Sequence, residues 1–253
     1  MPASHCGYSA TRRAKANIMA KHGKKYLEAK KLVEEGKLYQ PTEAISLLKQ
    51  INYVKFDPTV EVHMKLGVDP RHADQMVRGV AMLPSGTGKD VKVLVFAQGE
   101  KANEAEAAGA DFVGLDDLIK QIESDWFGFD VAIATPDVMG KVGRLGKKLG
   151  PRGLMPSPKA GTITFDVAKT IREAKEGRVE FKVDKTALLH IPAGKLSFSE
   201  DALLANITAV IDSVVRAKPS GSKGAYIKSV VLSSTMSPSV RLDVPTAIAL
   251  KPV

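Results

Sequence analysis

Cysteine is almost absent: Cys6 stands alone among 253 residues, which leaves no internal disulfide and no cysteine zinc site. The disulfide-stapled secreted scaffold and the zinc module are therefore both excluded as expectations. Long apolar runs are missing as well. The longest, Val93 to Ala97 and Val131 to Ala134, fall far short of the ~20 residues that a membrane-spanning helix needs. The five histidines (5, 22, 63, 72 and 190) form no pair four residues apart and no HExxH, and there is no GxSxG elbow. Cys6 falls in a stretch too poor in apolar residues to orient a nucleophile. Neither enzyme chemistry nor a metal or cofactor is expected. His63 and His190 fall in strand patterns and read as structural or RNA-facing.

The glycine-rich Ser85-Gly86-Thr87-Gly88-Lys89 fails as a phosphate loop. Leu83 stands where the first P-loop glycine belongs, Asp90 follows the lysine in place of Ser or Thr, and Val91 occupies the last glycine of a dinucleotide fingerprint. The stretch also precedes a strand instead of joining strand to helix, so a flexible domain crossing is the better reading.

Positive charge is what the chain does have. Lys and Arg number 37 against 28 Asp and Glu, a net +9 with a pI near 9.5, which favours polyanionic partners. Residues 1–85 carry +6, residues 86–177 carry −1 and residues 178–253 carry +4, so two basic ends flank a nearly neutral middle. The first 27 residues hold six cations and no acid, and lack the apolar core of a secretory signal. Residues 1–18 are expected to be a disordered extension, with Met19 reading as a natural start. The alternative is an organelle transit peptide, which Arg12, Arg13 and Lys15 beside Ser4, Ser9 and Thr11 suggest without an amphipathic helix.

The periodicities divide the chain in the same way. Helices are expected at 24–36, with Leu27, Leu32 and Val33 on one face and Gly36 as a stop, and from Pro41 to Gln50. Val60, Val62, Met64 and Leu66 then alternate with polar residues as a half-buried strand, and Met76 to Leu83 reads as another. In the middle third, strand segments at Val91 to Ala97, 111–113 and Val131 to Thr135 alternate with helical ones at 100–108, 116–124 and from Asp137, the grammar of a parallel sheet covered by helices. Residues 141–161 read as loop-rich and 167–176 as a helix closed by Gly177. After it come strands at Val179 to Val183 and Leu188 to Pro192. A long helix capped by Ser199, with an apolar stripe at Leu203, Leu204, Ile207, Val210, Ile211 and Val214, leads to a strand at Ala225 to Ser234 and an irregular tail. The economical architecture is a discontinuous α+β domain from both ends (1–85 and 178–253) with an α/β domain inserted at 86–177. Gly86, Gly88 and Gly177 at the crossings read as a hinge.

Two segments carry a binding signal. Between Val138 and Phe165 there is no acid, while Lys141, Arg144, Lys147, Lys148, Arg152 and Lys159 accumulate. Six unpaired cations in an otherwise acidic insert repel one another unless a polyanion is near, which suggests a secondary nucleic-acid contact. At a strand entrance, Lys55-Phe56-Asp57-Pro58-Thr59-Val60-Glu61 sets an aromatic beside cationic and hydrogen-bonding groups, a cluster able to stack on a base and hold phosphate.

Longer runs carry a resemblance. Lys55-Phe56-Asp57-x-Thr59-Val60-Glu61-Val62-His63, Leu66-Gly67-Val68-Asp69-Pro70-Arg71, Asp74-Gln75-x-Val77-Arg78-Gly79 and Thr135-Pro136-Asp137-Val138-Met139 are similar to the bacterial L-one family of large-subunit ribosomal proteins. So are Leu149-Gly150-Pro151-Arg152-Gly153-Leu154-Met155-Pro156-x-Pro158-Lys159-x-Gly161-Thr162 and Ser234-Thr235-Met236-x-Pro238-Ser239, all in order across about residues 19–241. The resemblance implies an α/β protein of two domains, a discontinuous two-layer α+β domain I with an inserted three-layer Rossmann-like domain II. It implies a monomer in the mobile stalk of the large subunit, in the cytoplasm or in an organelle. Its expected partners are large-subunit rRNA, exit-site tRNA whose release it assists, and its own operon mRNA, whose translation it represses.

Carried over residue by residue, the rRNA contact comprises Lys55, Phe56, Thr59 and Glu61, then Asp184, Lys185 and Thr186, then Thr235, Met236 and Ser237. Ser237 is a departure, since the family commonly has Gly there; the following Pro238 favours extended backbone, so Ser237 is expected to be tolerated and to add a hydrogen bond. Two other classes of function compete with this reading. An α/β enzyme with an RNA-like substrate needs a titratable cluster that the sequence lacks, and an extra-ribosomal RNA regulator would bind its message without sedimenting with the large subunit.

Overall fold

The computed structural model describes residues 23–250 except Glu35, Ser220 and Lys223. Cys6, Met19 and the expected extension lie outside the described residues. The chain is α/β. Its first part forms α1 (Lys24–Lys31), α2 (Pro41–Ile51), β1 (Thr59–Leu66) and β2 (Arg78–Met82). The middle adds β3 (Val93–Phe96), α3 (Glu100–Ala107), β4 (Phe112–Gly114), α4 (Asp116–Glu123), β5 (Val131–Ala134), α5 (Met139–Val142), α6 (Gly146–Leu149) and α7 (Val167–Glu176). The return supplies β6 (Arg178–Lys182), β7 (Leu188–Lys195), α8 (Glu200–Arg216), β8 (Ile227–Ser234), β9 (Val240–Leu242) and α9 (Val244–Ala249).

An antiparallel sheet of order β7-β1-β8-β9 joins the two ends of the chain. The alternation along β1 does what its period demands: Val60, Val62, Met64 and Leu66 are buried, and Thr59, Glu61, His63 and Lys65 face the other way. α2 and α8 cover the buried face. Proline in the first turn starts α2, which buries Ala44, Ile45, Leu48 and Ile51. Ser199 starts α8 by accepting the Ala202 N–H at 3.2 Å, and Leu203, Ile207, Val210, Ile211 and Val214 are buried beneath it. No described residue on the opposite sheet face is buried, which makes this a two-layer unit with one open face. β2 and β6 pair as a separate antiparallel ribbon.

The insert is built differently. Its parallel sheet, order β4-β3-β5, is covered on both sides. All four residues of β3 are buried: Leu94 and Phe96 join the core under α4, α5 and α6, while Val93 and Val95 join the core under α3 and α7. A continuously apolar strand is what two covered faces require. These two cores draw only on residues 93–174, and the core of the antiparallel sheet only on 29–83 and 179–247.

Several expectations need correction. α1 stops at Lys31, and of the expected apolar face only Val33 packs against the core: Leu27 and Leu32 are 46% and 56% exposed, while the small Ala29 makes the close approach. The helix expected from Asp137 does not end at 140: of the stretch 141–161 expected to be loop-rich, residues 141–149 continue it as 3-10 and α turns, and irregular chain begins at Gly150. Val142, Leu145 and Leu149, spaced three and four apart, all bury, and that burial outweighs the roughly 1 kcal/mol penalty of each glycine in a helix. The tail is regular too, because Asp243 caps α9 by accepting the Thr246 N–H at 3.3 Å. Nor is the crossing loose. The amide of the fully buried Asn206 accepts the Ser85 N–H at 3.0 Å and donates to the carbonyls of Gly86 (3.0 Å) and Ala193 (2.7 Å). A Cβ on Gly177, where φ is +123°, would lie 2.7 Å from the Gly86 Cα. Two of the three glycines read as a hinge are packed against each other.

Candidate nucleic-acid interface

The open face of the antiparallel sheet brings together part of the expected site at the start of β1. Thr59 and Thr235 form a clasp: the Thr235 N–H donates to the Thr59 carbonyl at 3.1 Å, and the Thr59 N–H donates to Thr235 Oγ1 at 3.2 Å. Lys195 Nζ donates to Thr59 Oγ1 at 3.0 Å. Phe56 and Met236 flank this clasp and are 54% and 65% exposed, unusual for large apolar side chains. Lys55 is exposed and has no carboxylate partner among the described residues. Beside it, Ser197 Oγ donates to Asp57 Oδ2 at 2.8 Å, which ties the loop before β1 to the end of β7.

The turn carrying Met236 is strained. Ser237 N–H donates to the Ser234 carbonyl at 3.0 Å, and Met236, third in that turn, has φ +71°, a conformation costing a bulky residue about 1 kcal/mol or more. Tyr53 OH donates to the Met236 carbonyl at 2.5 Å and helps to hold it. The left-handed residue is thus Met236, not Ser237. The Ser237 hydroxyl turns inward, accepting the Ser234 N–H at 3.1 Å and donating to the Ser234 carbonyl at 3.0 Å, so its hydrogen bonds serve the turn.

Asp184, Lys185 and Thr186 are not brought to this end. They sit on the β6–β7 hairpin, whose Ala187 carbonyl accepts the Leu66 N–H at 2.9 Å. That is the far end of β1, roughly 23 Å from Thr59 at strand rise. All three are exposed, and Thr186 Oγ1 donates to Asp184 Oδ2 at 3.3 Å. Between the two ends runs the polar row Glu61, His63 and Lys65.

In that row His63, read from the sequence as structural or RNA-facing together with His190, makes a contact that the sequence reading did not foresee. His63 lies opposite His190, with Nδ1 to Nδ1 at 2.7 Å and the rings edge to face. His63 Nε2 reaches Ser233 Oγ at 2.7 Å and Glu61 Oε2 at 3.7 Å. Partial burial, and then the neighbouring His190, hold the His63 imidazole below its ordinary pKa, while Glu61 pulls it upward. Tyr53 and Lys195 also escaped notice. Residues 127 and 136 positions apart, joined only by strand register and loop closure, leave no local signal in sequence.

The ribosomal protein L1p/L10e family matches residues 47–238. The chain belongs to this family. It is a structural constituent of the large ribosomal subunit, in cytoplasm or organelle, and binds that subunit's RNA. The matched span takes in both ends of β1, the whole insert and the Met236 turn.

On the insert of this ribosomal protein, the six expected cations are not all unpaired. Lys141 lies 3.2 Å from Asp116, and Lys148 lies 2.7 Å from Asp125 while donating to the Glu123 carbonyl at 2.6 Å. The hydrogen bond from Lys148 holds the Asp125 carboxyl below its usual range. Arg152 stacks on Phe127 at 3.7 Å from the ring centre and stays exposed. Arg144, Lys147 and Lys159 are exposed with no carboxylate partner among the described residues.

Proposed function

We propose that this chain anchors the mobile stalk of the large subunit by laying the open sheet face of domain I on stalk rRNA, as a monomer. Lys55, Phe56, Thr59, Glu61, Thr235 and Met236 form one end of that contact, and Asp184, Lys185 and Thr186 the other. The observation that carries the reading is the pair of exposed apolar side chains, Phe56 and Met236, flanking a clasp of threonine hydroxyls and a lysine. Aromatic and thioether surfaces stack on bases and riboses, hydroxyls bond 2′-hydroxyls, and lysine neutralises phosphate. The insert, bounded at 86 and 177, makes a secondary contact through Arg144, Lys147, Arg152 and Lys159. Through it the protein assists release of deacylated tRNA from the exit site. The same domain I face binds a mimic of the rRNA site in the operon mRNA and represses translation.

Sucrose-gradient sedimentation at moderate and high salt, with filter binding to the stalk rRNA fragment and to the operon leader, tests this. Cosedimentation with the large subunit at both salts, and mutual competition of the two RNAs, are the expected results. Binding to the leader without cosedimentation would leave an extra-ribosomal regulator instead.

A further inference from the structure

An RNA that touches both ends of β1 must cross the middle of the open sheet face, and the middle is occupied by two imidazoles. Their geometry limits their protonation. With Nδ1 atoms 2.7 Å apart, one Nδ1 must carry a hydrogen and the other must accept it. The neutral pair meets that condition with a single bridging hydrogen. So does the singly charged pair, in which His190 is imidazolium and His63 accepts at Nδ1 and carries its hydrogen on Nε2, toward Ser233 and Glu61. A doubly charged pair would set two N–H groups against each other and must break the contact. The pair therefore has room for one extra proton. His190 is the exposed ring of the two and His63 the partly buried one, so the edge of the pair that a ligand can reach is that of His190.

We infer that His63 and His190 form a phosphate contact at the centre of the RNA-facing sheet, and that the pair takes up one proton when RNA binds. The inference rests on the proposed placement of RNA on this face. The groups that face the pair are few. On β1, Glu61 favours the charged form and Lys65 opposes it; on β8, Val231 and Ser233 carry no charge; on β9, Arg241 lies opposite Val231 and opposes it. On β7 the same-face neighbours Leu188 and Pro192 are uncharged. One carboxylate against two cations leaves the charged pair under-compensated in the free protein. An RNA phosphate at His190 Nε2 supplies the missing negative charge, so the complex binds more protons than the free partners. Affinity therefore rises as pH falls, and the slope of log K against pH lies between zero and −1 because only one proton can enter.

The test is filter binding of the full chain to a stalk fragment of large-subunit rRNA from pH 8 to 5.5 at constant ionic strength, with a melting curve at each pH. Three proteins are compared: wild type, His190→Gln, which keeps a hydrogen-bond partner for His63 but cannot titrate, and Met236→Asp. Wild type should gain about tenfold in affinity across the range, the equivalent of a one-unit pKa shift, and His190→Gln less than about twofold. A flat wild-type profile, or a His190→Gln profile parallel to wild type, overturns the inference. Met236→Asp reports on the underlying placement through absolute affinity: wild-type binding at every pH by that folded variant would move RNA off this face, whatever the slopes.

Discussion

The two basic surfaces of this protein are built on opposite principles. At the start of β1 there are few cations, and they stand beside exposed Phe56 and Met236, a left-handed backbone residue and interlocked threonines. On the insert there are six cations, of which Lys141 and Lys148 already hold Asp116 and Asp125. A count of charges ranks the insert first; exposure and strain rank the sheet first. Strain and exposed apolar surface reduce the stability of the free protein and persist where a partner compensates for them. A solvated ion pair costs almost nothing and so says little about a partner.

Substitutions can break that contrast. The largest effect is expected from Met236→Asp, which sets a carboxylate against phosphate and removes apolar contact. Affinity for the stalk rRNA fragment should fall by roughly a thousandfold, about 4 kcal/mol, with a small change in melting temperature. Phe56→Ala comes next. The ring is exposed, so folding stability should barely move, whereas loss of base stacking worth about 1–3 kcal/mol should weaken rRNA binding roughly five- to 150-fold. Equal losses of stability and affinity would return Phe56 to a packing role.

On the insert, a pair of double variants sharpens the comparison. Arg144→Gln with Lys147→Gln should lower the salt dependence of tRNA binding, with the slope of log K against log salt falling by roughly 1 to 2, while rRNA affinity holds. Lys141→Gln with Lys148→Gln should lower it less, because those ammonium groups already face carboxylates. Equal slopes would show that the ion pairs open on contact. The smallest effect is expected from Ser237→Gly, a change of a few-fold in rRNA affinity. Stability should drop by about 1 kcal/mol through the lost hydroxyl bonds to Ser234, read as a shift of a few degrees in melting temperature.

Much of the fold was legible because its signals are local. The period-two alternation of β1, the Ser199 cap of α8 and the apolar run of β3 each lie within ten residues or so of sequence, and each element formed where its pattern stands. The helical turns over 141–149 were hidden by Gly143 and Gly146, which argue locally for a loop and lose to burial of Val142, Leu145 and Leu149. The site was legible in its residue types but not in its geometry. Asp184 to Thr186 were grouped with Thr59, although register sends their hairpin to the opposite end of β1. Lys141 and Lys148 were counted as unpaired because their carboxylates lie 25 and 23 residues upstream. His63 and His190 meet only through strand pairing.

The buried amide of Asn206 has a consequence for how two RNA contacts combine. It fixes the outgoing chain at Ser85 and Gly86 to the Ala193 carbonyl, and the returning chain at Gly177 rests on Gly86. The insert is thus attached at one doubled point instead of by two separate strings. A body held so has less room to turn than one on two independent strings, and its cations are confined to a smaller volume. Two RNA contacts on one chain combine through an effective concentration, which is set by the space the second site can reach once the first is engaged. By closing the crossing, the Asn206 amide narrows that space.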